Sequence, residues 1–531
     1  MSRAGMGRSL KIALFATGCS GIVAEFVLST LATYLGGNAV LQWTLVMSLM
    51  LFSMGIGSRC SRHFHSHLLD TFIFTEFLLS LLCAVSAVFA YGLAAHTESV
   101  DLVIYGQSMI IGTLIGLEIP LVTRLNGEYE ELRINISTVM EKDYYGALLG
   151  GLLFAFVALP YLGLTYTPIL LGAVNFLVAT LILFRYFPLV RRRGLLTAAC
   201  GVTVICLFAI AATARPIIRY GEQKKYRDKI IHVEQTPYQK IVMTRWREDY
   251  WLYINGQEQF STVDEELYHE PLVHPAMGLS RDHRRVLIIG GGDGLAAREV
   301  LKYPDVTHVT LVDLDPGMTR LAARHPVLLG INQGAFHDPR IRVENADAAA
   351  FLEGTAAGAA GNPSGFSGRE HHFFGVVLVD LPDPDTVDLM HVYSLSFYQK
   401  IRRRLSDGGV MAVQATSPFF SPRAFRCILR TISAAGFSAM PYHNQVPTMG
   451  EWAWILAVPH ISMGPEKLKR MAASFEWRAP ETRFFNKDAM LAMMHFGKGV
   501  LEEDLMADVR VNTLADPVLY QYYLSGKWDL Y

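Results

Sequence analysis

The first 214 residues are dominated by apolar runs, and these runs restrict the possible folds more than any other feature of the chain. Each run has about 20 residues, the length that an α-helix needs to cross a bilayer. The first run, from Leu10 to about Leu35, is too long for a signal peptide and is followed by others. The sequence therefore predicts a multi-pass α-helical membrane domain over residues 1–214, with seven spans near 10–33, 39–57, 70–94, 101–122, 144–163, 166–184 and 194–213.

Polar and small residues within these runs carry further information. Glycines spaced four apart, Gly112/Gly116 and Gly146/Gly150, favour close approach of helices. Carboxylates are costly in hydrocarbon, and three of them lie inside the runs, which indicates either a polar path or an internal pairing. Both interpretations are open for these three residues, Glu25, Glu76 and Glu118.

The overall composition separates this half from the rest of the chain. Hydrophobic residues make up 51% of the 531 residues and charged residues only 18%, which is too apolar for an ordinary soluble enzyme. The net charge of −1 gives no indication of nucleic-acid binding. The six cysteines form no CxxC pair, so neither a disulfide framework nor a metal site is expected. The apolar excess ends near residue 214, and the remainder has the pattern of a soluble α/β domain.

A glycine-rich turn organises this second half. Val286–Ile289 has the β-branched, apolar character of a buried parallel strand, and Gly290 to Gly294 then permit a tight turn into a helix. Nineteen residues after Gly294, Asp313 ends a second predicted strand, where its carboxylate can accept hydrogen bonds from both hydroxyls of a ribose. The combination predicts a nucleoside site.

The acid inside the turn, Asp293, indicates which nucleoside. A pyrophosphate on the helix N-terminus would be repelled by this carboxylate, whereas a cationic ligand would be attracted. A nucleoside that carries a sulfonium, such as S-adenosylmethionine or its decarboxylated form, meets this requirement. We therefore favour a sulfonium nucleoside over a dinucleotide.

Alternating strands and helices from residue 284 predict a doubly wound, mostly parallel Rossmann-like sheet. Its strand ends place Asp347 and Asp380 in the same crevice as Asp293 and Asp313, with Asp347 positioned to read an adenine amino group. A small β-subdomain with a hairpin turn at Asn255-Gly256 precedes the sheet. The predicted domains are 1–214 (membrane), 229–283 (β-subdomain and connecting helix), 284–460 (Rossmann-like) and 461–531 (helical tail).

The segment Asp380-Leu-Pro-Asp383-Pro384 has the residues for amine chemistry. Two carboxylates three residues apart, on a loop stiffened by proline, can hold one ammonium group and remove its proton. That arrangement is typical of general-base activation of an amine nucleophile.

Four spaced motifs lie in the second half of the chain: Gly290 to Gly294, Asp380-x-x-Asp383-Pro384, Tyr238-Gln239 and Gln259-x-x-x-x-Asp264-Glu265-x-x-Tyr268-x-Glu270. Together they resemble the polyamine aminopropyltransferases, the spermidine/spermine synthase family, over roughly 229–458. The apolar N-terminal half resembles the membrane-anchored bacterial branch of the family. The resemblance implies transfer of an aminopropyl group from decarboxylated S-adenosylmethionine, as co-substrate, to a diamine such as putrescine, without a prosthetic group.

The resemblance also implies residue roles. Asp380 would be the catalytic base, Asp383 would orient the acceptor, and Tyr268 would line the acceptor channel. The donor nucleoside would be held by Gln239, Gln259, Gly290, Gly292, Asp293, Asp313 and Asp347.

One stretch departs from the family pattern. Soluble members have Pro-Thr-Tyr, with the tyrosine on the acceptor amine, whereas this chain has Pro447-Thr448-Met449. A methionine cannot hydrogen-bond an ammonium in this way, but Glu451 or Trp452 can bind a cation by charge or by a cation–π contact. We therefore expect Glu451 and Trp452 to take part in acceptor binding.

Two other functions use the same fold. One is a methyltransferase that acts on a small amine with intact S-adenosylmethionine, although Asp293 would repel the carboxylate of that donor. The other is a non-catalytic polyamine sensor or transporter, which the intramembrane acids favour and the pair Asp380/Asp383 disfavours.

Two features of the sequence give conflicting indications of the side of the membrane on which the soluble domain lies. The positive-inside rule places the N-terminus in the cytoplasm, and seven crossings would then place the soluble domain outside. The segment after the seventh run is itself basic, however, with Arg215, Arg219 and Lys224, and a sulfonium nucleoside is a cytoplasmic metabolite. We predict a bacterial inner-membrane protein with a cytoplasmic catalytic domain that forms a homo-oligomer.

Overall fold

The computed structural model describes residues 3–36, 39–97, 99–127, 132–354, 373–460, 463–474, 476 and 480–528. The chain divides into two compact units, Met1–Lys229 and Ile230–Tyr531. The first is entirely helical over its described residues until β1 begins at Lys229, and the second contains the sheets.

Long helices with short connections form the N-terminal unit. Its helices are α1 (Arg3–Gly36), α2 (Ala39–Cys60), α3 (Leu68–Ala94), α4 (Val100–Asn126), α5 (Leu132–Leu153), α6 (Gly163–Arg185) and α7 (Arg193–Lys225), with a π-helical segment, Phe154–Leu162, between α5 and α6. Helix α5 packs on α1, and α4 packs on α2. A Cβ added to Gly146 or Gly116 would collide with the facing backbone, at Phe15 or Met54 respectively. The close helix approach predicted from the glycine spacing is confirmed.

Six helical stretches in the described part of the chain are long and apolar enough to cross a membrane. The fifth, Arg133–Arg185, has 53 residues and contains two of the seven predicted spans. A straight helix of that length would extend about 80 Å, far more than a bilayer core of about 30 Å. Gly163, with φ +62°, interrupts it, and Thr167 Oγ1 donates to Ala158 O at 3.2 Å across the break. The predicted seven separate spans thus correspond to six stretches, one of which is broken in two.

The three acids within the apolar runs, Glu25, Glu76 and Glu118, are buried in the helical unit. Glu76 and Glu118 are fully buried and Glu25 is 7% exposed. Thr17 Oγ1 donates to Glu76 Oε1 at 3.0 Å, which is an internal pairing of the kind that one of the two sequence-based interpretations expects. A functional role for the three acids stays a prediction.

A four-stranded sheet precedes the larger one, with the order β1-β2-β3-β4 among the described strands, and β2, β3 and β4 pair antiparallel. Its strands are β1 (Lys229–Gln235), β2 (Lys240–Trp246), β3 (Asp249–Ile254) and β4 (Gln257–Ser261). Asn255 and Gly256 both have positive φ, +53° and +89°, as a two-residue hairpin turn between β3 and β4 requires. The predicted hairpin is confirmed.

A larger sheet follows, with the order β10-β11-β9-β8-β5-β6-β7 among the described strands. The strands are β5 (Arg285–Gly290), β6 (His308–Asp313), β7 (Ile341–Asn345), β8 (Phe374–Asp380), β9 (Leu405–Gln414), β10 (Phe437–Val446) and β11 (Gly450–Pro459). Strands β7, β6, β5, β8 and β9 are parallel, whereas β11 and β10 are antiparallel at one edge. The sheet is therefore mixed, with the predicted parallel strands at its centre.

Helices cover both faces of this sheet. They are α8 (Glu266–Leu279), α9 (Leu295–Leu301), α10 (Pro316–Arg324), α11 (Pro326–Ile331), α12 (Ala348–Glu353), α13 (Leu395–Arg404), α14 (Pro422–Ala434), α15 (Pro465–Ser474), α16 (Lys487–Met493), α17 (Glu503–Ala507) and α18 (Leu519–Leu524). The last four belong to the predicted tail, 461–531. Phe485 and Met490 pack in the core on one face of the sheet, and Leu519 and Tyr523 pack in the core on the other. The tail is thus integrated into the α/β unit.

Candidate active site

The glycine-rich turn connects β5 to α9 and lies against the end of the neighbouring strand β8. Gly290, Gly291 and Gly294 have φ of +79°, +64° and +85°, values that favour glycine. A Cβ on Gly290 would collide with Asp380 O, and Gly291 N donates to that same oxygen at 3.0 Å. The turn therefore lies directly against the residue predicted to be the catalytic base.

Asp293 and Asp313 lie beside this turn. Asp293 Oδ1 accepts a hydrogen bond from Leu295 N at 2.8 Å, in the first turn of α9. Asp313, at the end of β6, accepts from Asp315 N at 2.8 Å and from the backbone N–H of Gly292. Burial raises the pKa of Asp313 to about 7, although these backbone hydrogen bonds oppose the shift. The structure brings Gly290, Gly292, Asp293 and Asp313 together at one crevice.

Asp347 has partners that the sequence did not indicate. Its Oδ1 accepts from Ala350 N at 2.8 Å as the N-cap of α12, and its Oδ2 lies 2.9 Å from His391 Nε2. Burial favours the neutral acid, but these two partners hold the pKa of Asp347 below its usual range. An adenine amino group would have to share this carboxylate with His391.

Asp380 forms a short hydrogen bond with the residue predicted to line the acceptor channel. Tyr268, on α8, donates to Asp380 Oδ1 at 2.7 Å. Burial raises the pKa of Asp380 to about 6, with His269 opposing the shift. Despite burial, the hydrogen bond that His269 Nδ1 donates to the Glu265 carboxylate raises the pKa of His269 to about 9, so its imidazole is a cation at neutral pH. Asp380 is therefore a carboxylate that changes its charge near neutral pH.

Asp383 is enclosed by hydrogen-bond donors. Its carboxylate accepts from Gln414 Nε2 and Thr416 Oγ1, both at 3.2 Å, and from the hydroxyl of Tyr523. Burial raises the pKa of Asp383 to about 7, although these donors oppose the shift. Nearby, Gln257 Nε2 donates to Asp385 at 3.0 Å. The half-buried Asp380 and the buried Asp383 thus form an acidic pair at the end of β8.

The acids of the motif from Gln259 to Glu270 hold neighbouring segments in place. Asp264 accepts from Thr448 N at 2.7 Å and from Thr448 Oγ1 at 2.9 Å, which anchors the turn that contains Met449. Glu265 accepts a bidentate pair from Arg298 at 2.7 and 2.8 Å. Glu270 accepts from the backbone N–H groups of residues 483–485. These three acids therefore fix the segments around the site by hydrogen bonds.

The glutamines lie in the small sheet. Gln259, in β4, donates through Nε2 to Gln257 O at 3.3 Å. Gln239 immediately precedes β2 and is partly buried. Gln257, which the sequence did not single out, links this sheet to the Asp383–Asp385 loop through its side-chain hydrogen bond to Asp385.

The surroundings of Glu451 and Trp452 differ from those that the sequence-based prediction implies. Glu451 forms an ion pair with His443 Nδ1 at 2.7 Å and lines a cavity of about 310 Å³ next to Phe484 and Met493. Trp452 is 8% exposed and packs in the core with Met449. The structure does not bring either side chain into a described hydrogen bond with Asp380 or Asp383.

Besides Gln257, sequence reasoning missed Gln414, Thr416, His391 and Tyr523. Gln414 is the last residue of β9, the strand next to β8, and Thr416 follows two residues later, so the argument for acids at strand ends could have been extended to them. Tyr523 lies in the C-terminal segment and has no local signal in the sequence.

The chain is similar to known proteins over almost its whole length. The Spermine/spermidine synthase domain model matches residues 265–463. The chain is 43% identical over 516 residues to "Polyamine aminopropyltransferase 2" of Aquifex aeolicus, covering 97% of this chain and 98% of that protein. It is 39% identical over 524 residues to a protein of the same name from Ralstonia nicotianae, covering 97% of each. Among solved structures, spermidine synthase from Thermotoga maritima aligns at 24% identity with a TM-score of 0.42, covering 52% of this chain and 87% of that one.

Proposed function

The chain belongs to the polyamine aminopropyltransferase family, and from that premise we propose that its donor is decarboxylated S-adenosylmethionine and its acceptor a diamine such as putrescine. A diamine nitrogen attacks the propyl carbon that is bonded to the sulfonium. The new C–N bond forms as the C–S bond breaks, the electron pair of that bond goes to sulfur, and methylthioadenosine leaves. The nitrogen releases its proton to the protein.

The acidic pair at the end of β8 carries this proposal. Asp380 accepts from Tyr268 and adjoins the glycine turn, so it is the proposed base. A pKa of about 6 allows it to be ionised at neutral pH and still accept a proton, as a general base requires. Asp383 is the proposed anchor for the acceptor ammonium.

The donor site is proposed at the adjoining crevice. Asp313 would accept the ribose hydroxyls, and Gly290 and Gly292 would allow the nucleoside close to the backbone. Gln239, Gln259 and Asp347 would complete the donor site. Asp293 would attract the sulfonium and repel the carboxylate that intact S-adenosylmethionine carries.

Product analysis tests the proposal. The purified full-length protein is incubated with the decarboxylated or the intact donor and with diamines of several chain lengths, and the products are identified by mass spectrometry. We expect polyamine and methylthioadenosine from the decarboxylated donor alone. A methylated amine from the intact donor would replace the proposal with the methyltransferase alternative, and binding without any product would indicate the sensor.

We propose that the protein is anchored in the cell membrane through its apolar helices, with the catalytic unit in the cytoplasm and a homo-oligomeric assembly. Lys498 is exposed in the α/β unit. In a cysteine-free background, Lys498→Cys should react with a membrane-impermeant maleimide only after the cells are permeabilised. Labelling in intact cells would place the unit outside.

Crosslinking of the detergent-solubilised protein tests the proposed homo-oligomer, and a monomer alone would contradict it.

A further inference from the structure

The C-terminal segment brings a tyrosine to the acidic pair. Tyr523, in α18, is 6% exposed, and its hydroxyl donates a hydrogen bond to the carboxylate of Asp383. Its ring packs in the core on that face of the sheet. A residue far from the motifs in sequence therefore touches the proposed acceptor anchor.

Aromatic contacts fix the position of this tyrosine. The Trp528 ring lies 4.7 Å from the Tyr523 ring, and Trp528 Nε1 donates to Tyr523 O at 2.9 Å. Trp528 also stacks on Phe420 at 5.6 Å, and Lys527 N donates to Phe420 O at 2.7 Å. The segment after α18 thus packs against the loop that follows β9, and these contacts hold Tyr523 in position.

The donors around Asp383 leave a limited capacity for a ligand. An ionised carboxylate can accept about four hydrogen bonds. Gln414, Thr416 and Tyr523 supply three donors among the described residues. The remaining capacity fits one N–H of an ammonium, and the tyrosine oxygen has lone pairs that can accept another.

We infer that Tyr523 is a positioning residue for the acceptor: it orients Asp383 and supplies a hydroxyl beside the incoming ammonium. This inference rests on the proposed function of the same site. Met449 packs in the apolar core and offers no hydroxyl there. Helix α18 is therefore part of the acceptor site and not only a covering segment.

The charge of Asp383 depends on this contact. Burial raises its pKa to about 7, Asp385 adds to the rise, and the hydrogen bond from Tyr523 opposes it. Among the described residues, Tyr268 and Tyr393 also interact with the charge of Asp383, and both interact with Asp380. Without the hydroxyl, the pKa of Asp383 rises, so less of it is ionised at pH 7. The loss of acceptor affinity in a variant without this hydroxyl should therefore become smaller as the pH is raised from about 7 to 9, because Asp383 then ionises in the variant as well.

The test compares Tyr523→Phe with Tyr520→Phe in the full-length protein. Both keep an aromatic ring in α18, but the Tyr520 hydroxyl bonds only the Gln521 side chain, at 3.4 Å, among the described residues. Tyr523→Phe should raise the acceptor KM roughly tenfold or more at pH 7, with the donor KM unchanged. Tyr520→Phe should behave as the wild type.

Three results would overturn the inference. The first is an acceptor KM for Tyr523→Phe equal to that of Tyr520→Phe. The second is an equal rise in the acceptor KM and the donor KM of Tyr523→Phe. The third is a rise in its acceptor KM that is the same at pH 7 and at pH 9. Absence of aminopropyl transfer by the wild type would instead contradict the proposed function. In that case, calorimetric titration of putrescine into the wild type and Tyr523→Phe decides this inference, since equal affinities would refute it.

Discussion

Replacing Asp380 by asparagine removes the proposed base with little change of shape. The amide oxygen can still accept from Tyr268, whose hydroxyl lies 2.7 Å from Asp380 Oδ1, so the site should stay assembled. A positioned general base contributes about 10²–10⁴-fold to the rate. We therefore expect kcat to fall by that factor, which corresponds to roughly 3–5 kcal/mol of lost transition-state stabilisation.

The pH dependence of the wild type should show the same group. With a pKa of about 6, Asp380 is mostly ionised at pH 7, and protonation inactivates it as the pH falls. The activity should therefore decrease about tenfold for each pH unit below that pKa. This acid limb should be absent from the residual rate of Asp380→Asn. Single-turnover kinetics between pH 5 and 9 measure both effects.

A matched control is Asp388→Asn, the same chemical change at an exposed position in the following 3₁₀ turn. It should retain the wild-type rate. Calorimetric titration of methylthioadenosine should give similar affinities for both variants and the wild type. A wild-type rate for Asp380→Asn would refute the assignment of the base, and loss of nucleoside binding would show that the substitution disrupts the site instead.

Other substitutions separate binding from structure. Asp313→Ala should weaken binding of the donor and of methylthioadenosine by roughly 1.5–3 kcal/mol in calorimetry, and unchanged affinity would leave Asp313 as a structural acceptor only. Arg298→Met removes the bidentate partner of the buried Glu265, which keeps its contact with His269, and should destabilise the unit by roughly 3–5 kcal/mol in chemical denaturation, whereas an unchanged midpoint would show that the pair is dispensable. The pKa of Glu265 is about 2 in the folded protein, because its hydrogen bonds and charged partners outweigh burial. Its stabilising contribution should thus be complete above its unfolded pKa of about 4.5 and be lost as the pH falls towards 2, a dependence that Arg298→Met should weaken. Glu451→Gln should leave the acceptor KM unchanged and lower the pKa of His443 in NMR titration, because the ion pair is its observed contact; a several-fold rise in acceptor KM alone would restore the acceptor role expected from the sequence.

Local sequence patterns predicted the centre of this fold well. The apolar strand Val286–Ile289, the glycine turn after it and the hairpin at Asn255-Gly256 all depend on short-range backbone requirements. Acids at strand ends were placed in one crevice because parallel strands share an edge, and Asp293, Asp313 and Asp380 do lie there. This part of the site follows from topology that the chain order alone suggests.

Features that depend on distant contacts escaped prediction. Tyr523 reaches Asp383 only because α18 packs back on the sheet. His391 engages Asp347 from a turn between β8 and α13. Glu451 was placed at the acceptor by its closeness to Met449 in sequence, but its side chain meets His443 of the neighbouring antiparallel strand. Nothing in the local pattern shows which strand pairs at that edge.

The fate of the propyl carbons tests the central claim most directly. A decarboxylated S-adenosylmethionine labelled with deuterium on the aminopropyl chain is mixed with putrescine and excess enzyme for one turnover, and both products are analysed by mass spectrometry. The acidic pair Asp380/Asp383 beside the glycine turn predicts that all of the label appears in the polyamine, with unlabelled methylthioadenosine formed in equal amount. Label that stays on the nucleoside while the diamine gains only a methyl group would contradict the account.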